Sequence, residues 1–335
     1  MPPTPDHPEV IVWTDAHRAD IVRQILGQMT ELKILAVGCP RSSPRPVELA
    51  DAFSAAAFDD LRQMIVQLPA QYLFLATTNT VKPDDIAAVI QQQTDVLSLE
   101  PLLDAAPSSD DSKTLNESGR IHYLPRFRQC PAYLAAADPQ QALSSIRSIQ
   151  ITSVGRAHVA SLAARLTDAL DMLIALLGLP DSIDAAYVGP SPDAPQSLRA
   201  LTGHITANLR FSDQAAASLL LSDQSHIHHR AAAMIGSDAT LLLNDLSYQL
   251  IGNNDTGQPI LLDQLLPDPR DASRTPQDAS SLIVHQWRRL LTHRPVDDRS
   301  VDPRALLAVA ETVLLAARTA QPESPRKLFQ MAGLT

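Results

Sequence analysis

The chain has little cysteine, no excess of positive charge and no long apolar run, and each shortage excludes a class of protein. Its two cysteines, Cys39 and Cys130, are too few for a disulfide framework, which fits a reducing compartment. The formal net charge of -10 argues against binding to nucleic acid or to an anionic membrane, because both favour basic surfaces. No apolar stretch approaches the roughly 20 residues that a membrane span needs.

The N-terminal residues MPPTPDHPEV contain no basic stretch followed by an apolar core. We therefore predict no secretory signal peptide and expect a cytoplasmic protein. A length of 335 residues suits two domains, each large enough to bury its own core. With 45% hydrophobic and 19% charged residues, the composition is that of a globular protein.

The first part of the chain alternates short apolar runs with helical patterns. Strands are predicted at 9–13, 32–37, 71–76 and 95–99, with amphipathic helices between them. This alternation predicts an α/β fold with a doubly wound parallel sheet. Such sheets bind ligands at the carboxyl ends of their strands. The following segment 104–119, rich in Ser and Asp, is predicted to be a surface loop.

A long helix is predicted over Ser161–Leu177. Five leucines recur at helical spacing and form one apolar stripe, namely Leu162, Leu166, Leu170, Leu173 and Leu177. Ser161 can cap the start, and Gly178 with Pro180 marks the end. We expect a sheet to pack on this helix.

Beyond the helix, strands follow one another directly. His204–Phe211 alternates strictly between apolar and polar residues, and further strands are predicted at 215–222, 227–235, 240–243 and 248–251. These runs predict a mostly antiparallel sheet. A loop is predicted at 253–275, and two helices, at about 280–291 and 303–318, close the chain.

Several short segments resemble motifs of the Gfo/Idh/MocA oxidoreductases, a family of mostly sugar-directed NAD(P) enzymes. Thr167–Asp171 with the later Leu176-Leu177-Gly178 resembles the family's Gly-x-His-x-x-Asp…Leu-Leu-Gly. Leu73–Asn79 resembles its fourth strand and cofactor-contacting loop. Val96–Leu102 resembles its strand ending in Glu-Lys-Pro, and Arg126-Phe127 with Pro131 resembles Arg-Phe-x-Pro.

The resemblance implies a Rossmann-like domain of the NAD(P)-binding type over residues 1–143. It implies a C-terminal α+β domain with a mostly antiparallel open sheet, for substrate binding and oligomerisation, over 144–335. It places Asp168 at the catalytic histidine of the family and matches Asp171 to the aspartate. The positions that match the cofactor site are Thr14, Asp15, Arg18, Thr77, Thr78, Asn79, Glu100 and Pro101.

Three departures from the family's motifs concern the chemistry. Trp13, Asp15 and Arg18 stand where the family has the three glycines that approach the pyrophosphate. An indole would crowd this turn, and a carboxylate would repel the phosphates, although Asp15 or Thr14 would serve as a helix cap. Glu100 stands where the family has its active-site lysine, and Asp168 where it has histidine.

These departures predict a pseudoenzyme, a degenerate and non-catalytic family member that acts as a binding or oligomer-partner subunit. It would hold no NAD(P) in the ordinary pose, and its ligand would be sugar-like. The alternative is an active oxidoreductase, acting on a sugar or related polyol, that holds NAD(P) unconventionally through Arg18, Thr77, Thr78 and Asn79.

His226 and His228 would share one face of a strand, but the sequence offers no acidic or cysteine partner at a zinc-site spacing. We predict surface histidines and no metal site.

The strand at 215–222 is apolar on both faces. Ala217, Leu219 and Leu221 face one way, while Ala216 and Leu220 face the other. The run 231–235 repeats this pattern. We therefore expect the second face of the C-terminal sheet to form a homo-oligomer interface or to pair with a related subunit. The alternative is that the closing helices or the loop at 253–275 cover this face within one chain.

Overall fold

The structure is a computed structural model that describes residues 7–40, 45–78, 81–102, 119–141, 143–191, 193–253, 258–265, 279–292 and 301–331. The chain divides into two compact units, Met1–Leu124 and Pro125–Thr335. Among the helices in these ranges, none is both long and apolar enough to span a membrane.

The first unit is built on parallel strands that alternate with helices. The strands are β1 (Glu9–Thr14), β2 (Lys33–Gly38), β3 (Ala56–Phe58), β4 (Tyr72–Ala76), β5 (Asp95–Ser98) and β6 (Ile121–Tyr123). The helices described are α1 (Ala19–Gln28), α2 (Arg45–Ala52), α3 (Leu61–Gln67) and α4 (Pro83–Gln91). All strand pairs are parallel, in the order β3-β2-β1-β4-β5-β6. The predicted parallel sheet is therefore confirmed.

The central strands of this sheet are buried on both faces, as continuous apolar runs require. In β1, Val10 to Trp13 are all buried, and in β4 Leu73 to Ala76 are buried. Strand β3 was not expected, since its first residue lies in a segment predicted to be helical. Helix α2 ends at Ala52, and Ser54 then adopts a positive φ of 53°, which turns the chain into the strand.

The described part of the second unit contains eight strands. They are β7 (Ile146–Arg156), β8 (Ser182–Val188), β9 (His204–Arg210), β10 (Ala216–Ser222), β11 (Gln224–Gly236), β12 (Ala239–Asn244), β13 (Ser247–Asn253) and β14 (Pro259–Leu265). They form one sheet in the order β14-β13-β12-β11-β7-β10-β9-β8, in which β7 and β10 are parallel and the other pairs antiparallel. The predicted, mostly antiparallel sheet is confirmed.

Two strands of this sheet were not predicted. Strand β8 follows the long helix directly, and β14 lies within the segment 253–275, which was predicted to be a loop. Strand β14 pairs with β13 over seven residue pairs, from Ser247↔Leu265 to Asn253↔Pro259, and so extends the sheet. The segment was predicted to be a loop because of its prolines, although it contains a short apolar run, Ile260 to Leu262.

The helices described in the second unit are α5 (Pro131–Ala135), α6 (Ala137–Gln141), α7 (Leu162–Leu177), α8 (Ala279–Thr292), α9 (Pro303–Thr319) and α10 (Arg326–Met331). Helix α7 is the predicted long helix. The Ser161 Oγ accepts a hydrogen bond from Ala164 N at 3.1 Å, and Gly178 ends the helix with a φ of 77°. In α9, Asp302 caps the first turn by accepting a hydrogen bond from Arg304 N at 2.9 Å.

Among the described residues, one face of the eight-stranded sheet is covered and the other is open. On β10, Leu219 is 3% exposed and faces α7, whereas its neighbour Leu220 is 43% exposed. The cross-strand register continues the open face through Ile235, Leu242 and Ile251. Strand β10 therefore carries apolar side chains on both the covered and the open face of the sheet. The predicted use of the open face for association remains a prediction.

The two compact units divide at a different point from the boundary inferred from the sequence, which lay at residue 143. Strand β6 ends at Tyr123, and Leu124 N makes a further hydrogen bond to Ser98 O of β5 at 2.9 Å. The backbone of Arg126 and Phe127 is hydrogen-bonded to Gln286 and Asp168 instead of to a strand. Residues 125–143 therefore belong with the second unit.

Candidate functional site

Among the described residues, each unit contains a cluster of polar side chains, most of them buried, that includes residues singled out in the sequence. In the first unit it lies at the carboxyl ends of β1, β4 and β5. We call it the sheet-edge cluster, consisting of Asp15, Arg18, Thr77, Thr78 and Glu100. In the second unit the arginine network joins Arg126, Arg128, Asp168, Asp171, Arg230 and Asp245.

The ends of β1 and β4 are joined by hydrogen bonds. Asp15 N donates to Ala76 O at 3.1 Å, and Thr14 Oγ1 donates to the same carbonyl at 3.2 Å. Strands β1 and β4 are the neighbours from which the chain winds in opposite directions, so this edge is where doubly wound sheets bind ligands.

The Asp15 carboxylate is buried and accepts three hydrogen bonds from the loop after β4. Oδ1 accepts from Thr77 Oγ1 at 2.6 Å. Oδ2 accepts from Thr78 N at 2.6 Å and from Thr78 Oγ1 at 3.1 Å. Asp15 stands at the start of the 3-10 turn Ala16–Arg18, but its side chain makes no capping bond. The interpretation of Asp15 as a helix cap is therefore wrong, because its carboxylate is directed across to β4.

Arg18 and Glu100 form a buried ion pair within the same cluster. The Arg18 side chain is fully buried, and its Nη2 lies against Glu100 Oε1. Ser98 Oγ donates to the carbonyl of Glu100 at 2.6 Å, which holds the end of β5 in place. Burial and the Arg18 charge lower the pKa of the neighbouring His17. The cation that the sequence places near the helix start is thus paired within the protein.

Five of the eight predicted cofactor residues make up the sheet-edge cluster, and Thr14 joins the strands beneath it. Pro101 follows Glu100 and is half-buried. Asn79 lies outside the described residues.

Trp13 does not take the position expected of it. Its ring is buried in the core of the first unit, among residues such as Ile11 and Met64. It lies so close to Gly38 that a Cβ at that position would overlap the ring. The expectation that the indole crowds the turn after β1 is therefore wrong. Glycine at 38 makes room for it.

In the second unit, Asp171 binds two arginines. Its Oδ2 accepts from Arg128 Nε at 2.8 Å, and its Oδ1 accepts from Arg128 Nη2 at 3.3 Å. Oδ1 also accepts from Arg126 Nη2 at 2.7 Å. Asp171 and Arg128 are both buried, so the predicted catalytic aspartate holds the segment before α5 against α7.

Asp168, one turn earlier on α7, binds a third arginine. Its Oδ2 accepts from Arg230 Nη1 at 2.8 Å, and its Oδ1 accepts from Phe127 N at 2.8 Å. Burial raises the pKa of Asp168, although Arg230 and the Phe127 N–H act in the opposite direction. Asp168 and Asp171 are thus brought onto one face of the helix, each with arginine as a partner.

Arg230 also binds Asp245, in the turn between β12 and β13. The Arg230 Nη2 lies 2.6 Å from Asp245 Oδ1, and Nε lies 2.7 Å from the same oxygen. Burial alone would raise the pKa of Asp245, but Arg230 and a hydrogen bond from His228 outweigh it and lower the pKa. The Arg230 guanidinium also stacks over the Phe127 ring, 4.8 Å from its centroid.

Arg128, Arg230, Asp245 and Gln286 were not identified from the sequence. The sequence did contain a sign of the role of Arg230. On β11 it lies on the same face as Ala232 and Met234, which are buried in the core. A charged residue on a buried face needs a partner of opposite charge. Asp245 gave no such signal, because it resembles an ordinary turn residue.

The histidines of β11 have separate partners. His226 Nδ1 lies 3.2 Å from Arg156 Nη2, and His228 Nε2 lies 3.3 Å from Asp245 Oδ2. His228 is half-buried, so the prediction of surface histidines is wrong for this residue. In the part of the chain that the structure describes, no group of three or more His, Cys, Asp or Glu residues could hold a metal ion. Burial raises the pKa of Cys130, near Asp245, far above its usual range.

Two of the charged groups in the arginine network are shared. The carboxylate of Asp171 is shared by the guanidiniums of Arg126 and Arg128. The guanidinium of Arg230 is shared by the carboxylates of Asp168 and Asp245.

No protein-family model matches the chain, and no curated protein sequence matches it. Solved structures match it over nearly its whole length. Levoglucosan dehydrogenase in complex with NADH and L-sorbose has a TM-score of 0.69 and 13% identity, and the match covers 96% of this chain and 99% of that chain. An oxidoreductase from Agrobacterium radiobacter in complex with NAD+, L-tartaric acid and magnesium has a TM-score of 0.69 and 14% identity, with coverage of 96% and 99%.

A third structure is UDP-N-acetylglucosamine 3-dehydrogenase from Acidithiobacillus ferrooxidans. It has a TM-score of 0.65 and 16% identity, over 93% of this chain and 98% of that chain. These neighbours are NAD-binding oxidoreductases of the Gfo/Idh/MocA type. At such identities the matches show the fold, and in the fold the predicted resemblance is confirmed.

Proposed function

We propose that this chain, whose fold is that of the Gfo/Idh/MocA oxidoreductases, is a degenerate, non-catalytic relative that binds a small molecule and associates through its open sheet face. The observation that carries the proposal is the Asp15 carboxylate, which takes the donors of Thr77 and Thr78 at the carboxyl edge of the parallel sheet. This edge is where a dinucleotide binds in doubly wound folds.

A dinucleotide pyrophosphate does not fit this edge in the ordinary pose. It needs backbone N–H groups that are open to an anion and a turn without side chains. Here Thr78 N donates to Asp15, and the carboxylate itself would repel a phosphate. The Arg18 charge is neutralised by Glu100. Asp15 would have to leave Thr77 and Thr78 before phosphate oxygens could take their place.

The candidate catalytic carboxylates support the same proposal. Asp171 is held by Arg126 and Arg128, and Asp168 by Arg230. A guanidinium partner favours the ionised carboxylate, whereas a general acid must carry a proton near the working pH. Their geometry is that of structural ion pairs.

Titration of the purified protein with NADH and NADPH, followed by nicotinamide fluorescence, tests the proposal. We expect no submicromolar affinity in the native protein, and finding one would contradict the proposal. In Asp15→Asn the like-charge repulsion is removed, so dinucleotide affinity should rise. Asp20→Asn, an exposed change early in α1, is the control and should bind as the native protein does.

The alternative is an active oxidoreductase on a sugar or related polyol, and one observation favours it. Burial raises the pKa of Asp168, which moves a carboxyl towards the range of a general acid. The neighbours' ligands, levoglucosan, L-sorbose and L-tartrate, are the substrates to try, with NAD+ and NADP+. Turnover that is lost in Asp168→Asn and kept in the exposed-turn control Asp213→Asn would establish this activity.

The proposed association uses the open face of the eight-stranded sheet. Its exposed apolar residues are Leu220, Ile235, Leu242, Ile251 and Leu261. A face of this kind is costly to leave in water, and it fits a second copy of the chain or a related subunit. Helix α9 contacts β8 and α7, on the covered side, so it does not shield this face.

Light scattering on the purified protein tests the association. We expect an oligomer that Leu220→Asp dissociates, because the new carboxylate would be buried in the interface. Val66→Asp, on an exposed surface of α3, is the matched control and should leave the mass unchanged. A strict monomer at tens of micromolar would rule the interface out.

A further inference from the structure

We propose that Thr77 and Thr78 form a binding site for the carboxylate of a ligand, and that the protein fills this site with its own Asp15 carboxylate. A ligand enters by exchanging with Asp15, so the contact is autoinhibitory. This inference rests on the small-molecule binding role proposed above and names the ligand's chemical class. It follows from the hydrogen bonds after β4, the exposure of Thr78 and the way the Asp15 backbone is held.

The loop after β4 presents three donors to one carboxylate. Thr77 Oγ1 donates to Asp15 Oδ1 at 2.6 Å, and Thr78 donates to Oδ2 from its N at 2.6 Å and from its Oγ1 at 3.1 Å. Each carboxylate oxygen thus has a donor, and the carboxylate of a ligand can accept the same three bonds. Hydrogen bonds to an ionised acceptor are stronger than neutral ones, so the site favours an anion over a hydroxyl group.

The site can be reached from solvent on the Thr78 side. Asp15 is 3% exposed and Thr77 is 5% exposed, whereas Thr78 is an exposed residue. Two of the three donors therefore belong to a residue at the surface of the first unit. The topology points to the same place independently, because β1 and β4 are the neighbouring strands at which doubly wound sheets bind ligands.

The Asp15 carboxylate can leave the site by rotation of its side chain alone. Asp15 N donates to Ala76 O at 3.1 Å, and Arg18 N donates to Asp15 O at 3.0 Å, so the main chain is held on both sides of the side chain. Rotation to another staggered conformer moves the carboxylate away from the donors. Because Asp15 is tethered beside them, it competes at a high effective concentration, and its removal should raise the affinity for a ligand.

Calorimetric titration of the full-length protein with acetate, at constant ionic strength, tests the inference. Acetamide is the neutral probe of similar shape, and inorganic phosphate is the other anion. We expect Asp15→Ala to bind acetate at least about tenfold more tightly than the native protein, because the internal competitor is gone. Thr78→Val in that background should weaken acetate binding about tenfold, since a hydrogen bond to a charged group is lost.

Two exposed positions of the first unit provide matched controls. Asp20→Ala also removes a carboxylate, and it should bind acetate as the native protein does. Thr30→Val in the Asp15→Ala background also removes a hydroxyl, and it should leave the acetate affinity of that variant unchanged.

Exchange in the native protein has a readout that a purely structural carboxylate would not give. The NMR signal of the Asp15 carboxyl carbon should shift in concentrated acetate, because Asp15 then loses its bonds to Thr77 and Thr78. The same concentration of chloride or of acetamide should leave the signal in place. An unchanged Asp15 signal in molar acetate would overturn the exchange.

Asp15→Ala should fold, because it keeps the backbone hydrogen bonds of residue 15, and thermal unfolding checks this. If it does not fold, Asp15→Asn decides: acetate, but not acetamide, should raise its unfolding temperature, and no rise would contradict the inference. Equal acetate affinity in Asp15→Ala and the native protein, or no binding in either, would overturn it. Binding of phosphate without acetate would overturn the assignment to a carboxylate. None of these failures touches the proposed loss of dinucleotide binding, which the NADH and NADPH titrations decide.

Discussion

Asp15 in the sheet-edge cluster and the aspartates of the arginine network have partners of different kinds. In the first unit, the Asp15 carboxylate accepts three hydrogen bonds from neutral donors, two hydroxyls and one backbone N–H. In the second unit, each aspartate is held by at least one guanidinium. Neutral donors can be transferred to another anion at modest cost, whereas a buried cation cannot lose its partner cheaply. The first arrangement can therefore give way to a ligand, while the second fixes the architecture.

The largest effect should come from removing the cation at the centre of the arginine network. Arg230→Met would leave Asp168 and Asp245 buried without their shared partner. We expect the free energy of unfolding to fall by about 5 kcal/mol, measured by urea denaturation. Arg210→Met, on an exposed position of β9, should change it by less than about 0.5 kcal/mol. Equal effects in the two variants would refute a central role for Arg230.

A somewhat smaller loss is expected in the sheet-edge cluster, where one cation faces one anion. Arg18→Met should cost about 3 kcal/mol, because Glu100 would lose its buried guanidinium partner. The double change Arg18→Met with Glu100→Met should recover most of the loss, since it removes both charges. If the double variant is no more stable than Arg18→Met alone, the pair does not act as a unit.

Removing the side-chain amide of Gln286 should lower the free energy of unfolding by less than either of the two changes above. Gln286→Leu has a similar volume and leaves both Arg126 N and Arg126 O without these partners. We expect a loss of about 2 kcal/mol in the free energy of unfolding. Gln286→Glu separates the two bonds, because it keeps an acceptor for Arg126 N and loses the donor to Arg126 O. A loss as large as that of Gln286→Leu would show that the acceptor contributes nothing.

The smallest expected effect is on the way the free energy of unfolding changes with pH. The direction of this change should be opposite for Asp245 and Asp168 of the arginine network. The pKa of Asp245 is lowered on folding, so its contribution is present above its unfolded pKa of about 3.9 and is lost as the pH falls below that value. The pKa of Asp168 is raised, so its contribution is present below about 3.9 and is lost as the pH rises.

Unfolding curves from acid to neutral pH check both signs. The stability of the native protein relative to Asp245→Asn should increase as the pH rises through this range. Relative to Asp168→Asn it should decrease. Parallel slopes for the two variants would contradict the opposite environments of these carboxylates.

The sequence determined the fold class because strands and helices leave local patterns. The stripe of leucines in α7, with Ser161 and Gly178 at its ends, predicted that helix and both of its limits. The patterns of β9 and β10 predicted strands of a sheet whose second face is apolar, but not whether other parts of the chain cover that face. Strand β3 was missed because three residues carry too little pattern, and β8 because Asp184 and two alanines weaken its strand signal.

The roles of the polar residues were decided only by tertiary structure. From its position in the sequence, Trp13 was expected to clash with a bound ligand. In the structure its ring packs over Gly38, which belongs to a different strand. Asp15 lies at a capping position, but its carboxylate bonds to Thr77 and Thr78, 62 and 63 residues later in the chain. Asp168 depends on Arg230, also 62 residues away. Hydrogen bonds and ion pairs act over a few ångströms in space and leave no periodicity in the sequence, so their partners become known only when the chain is folded.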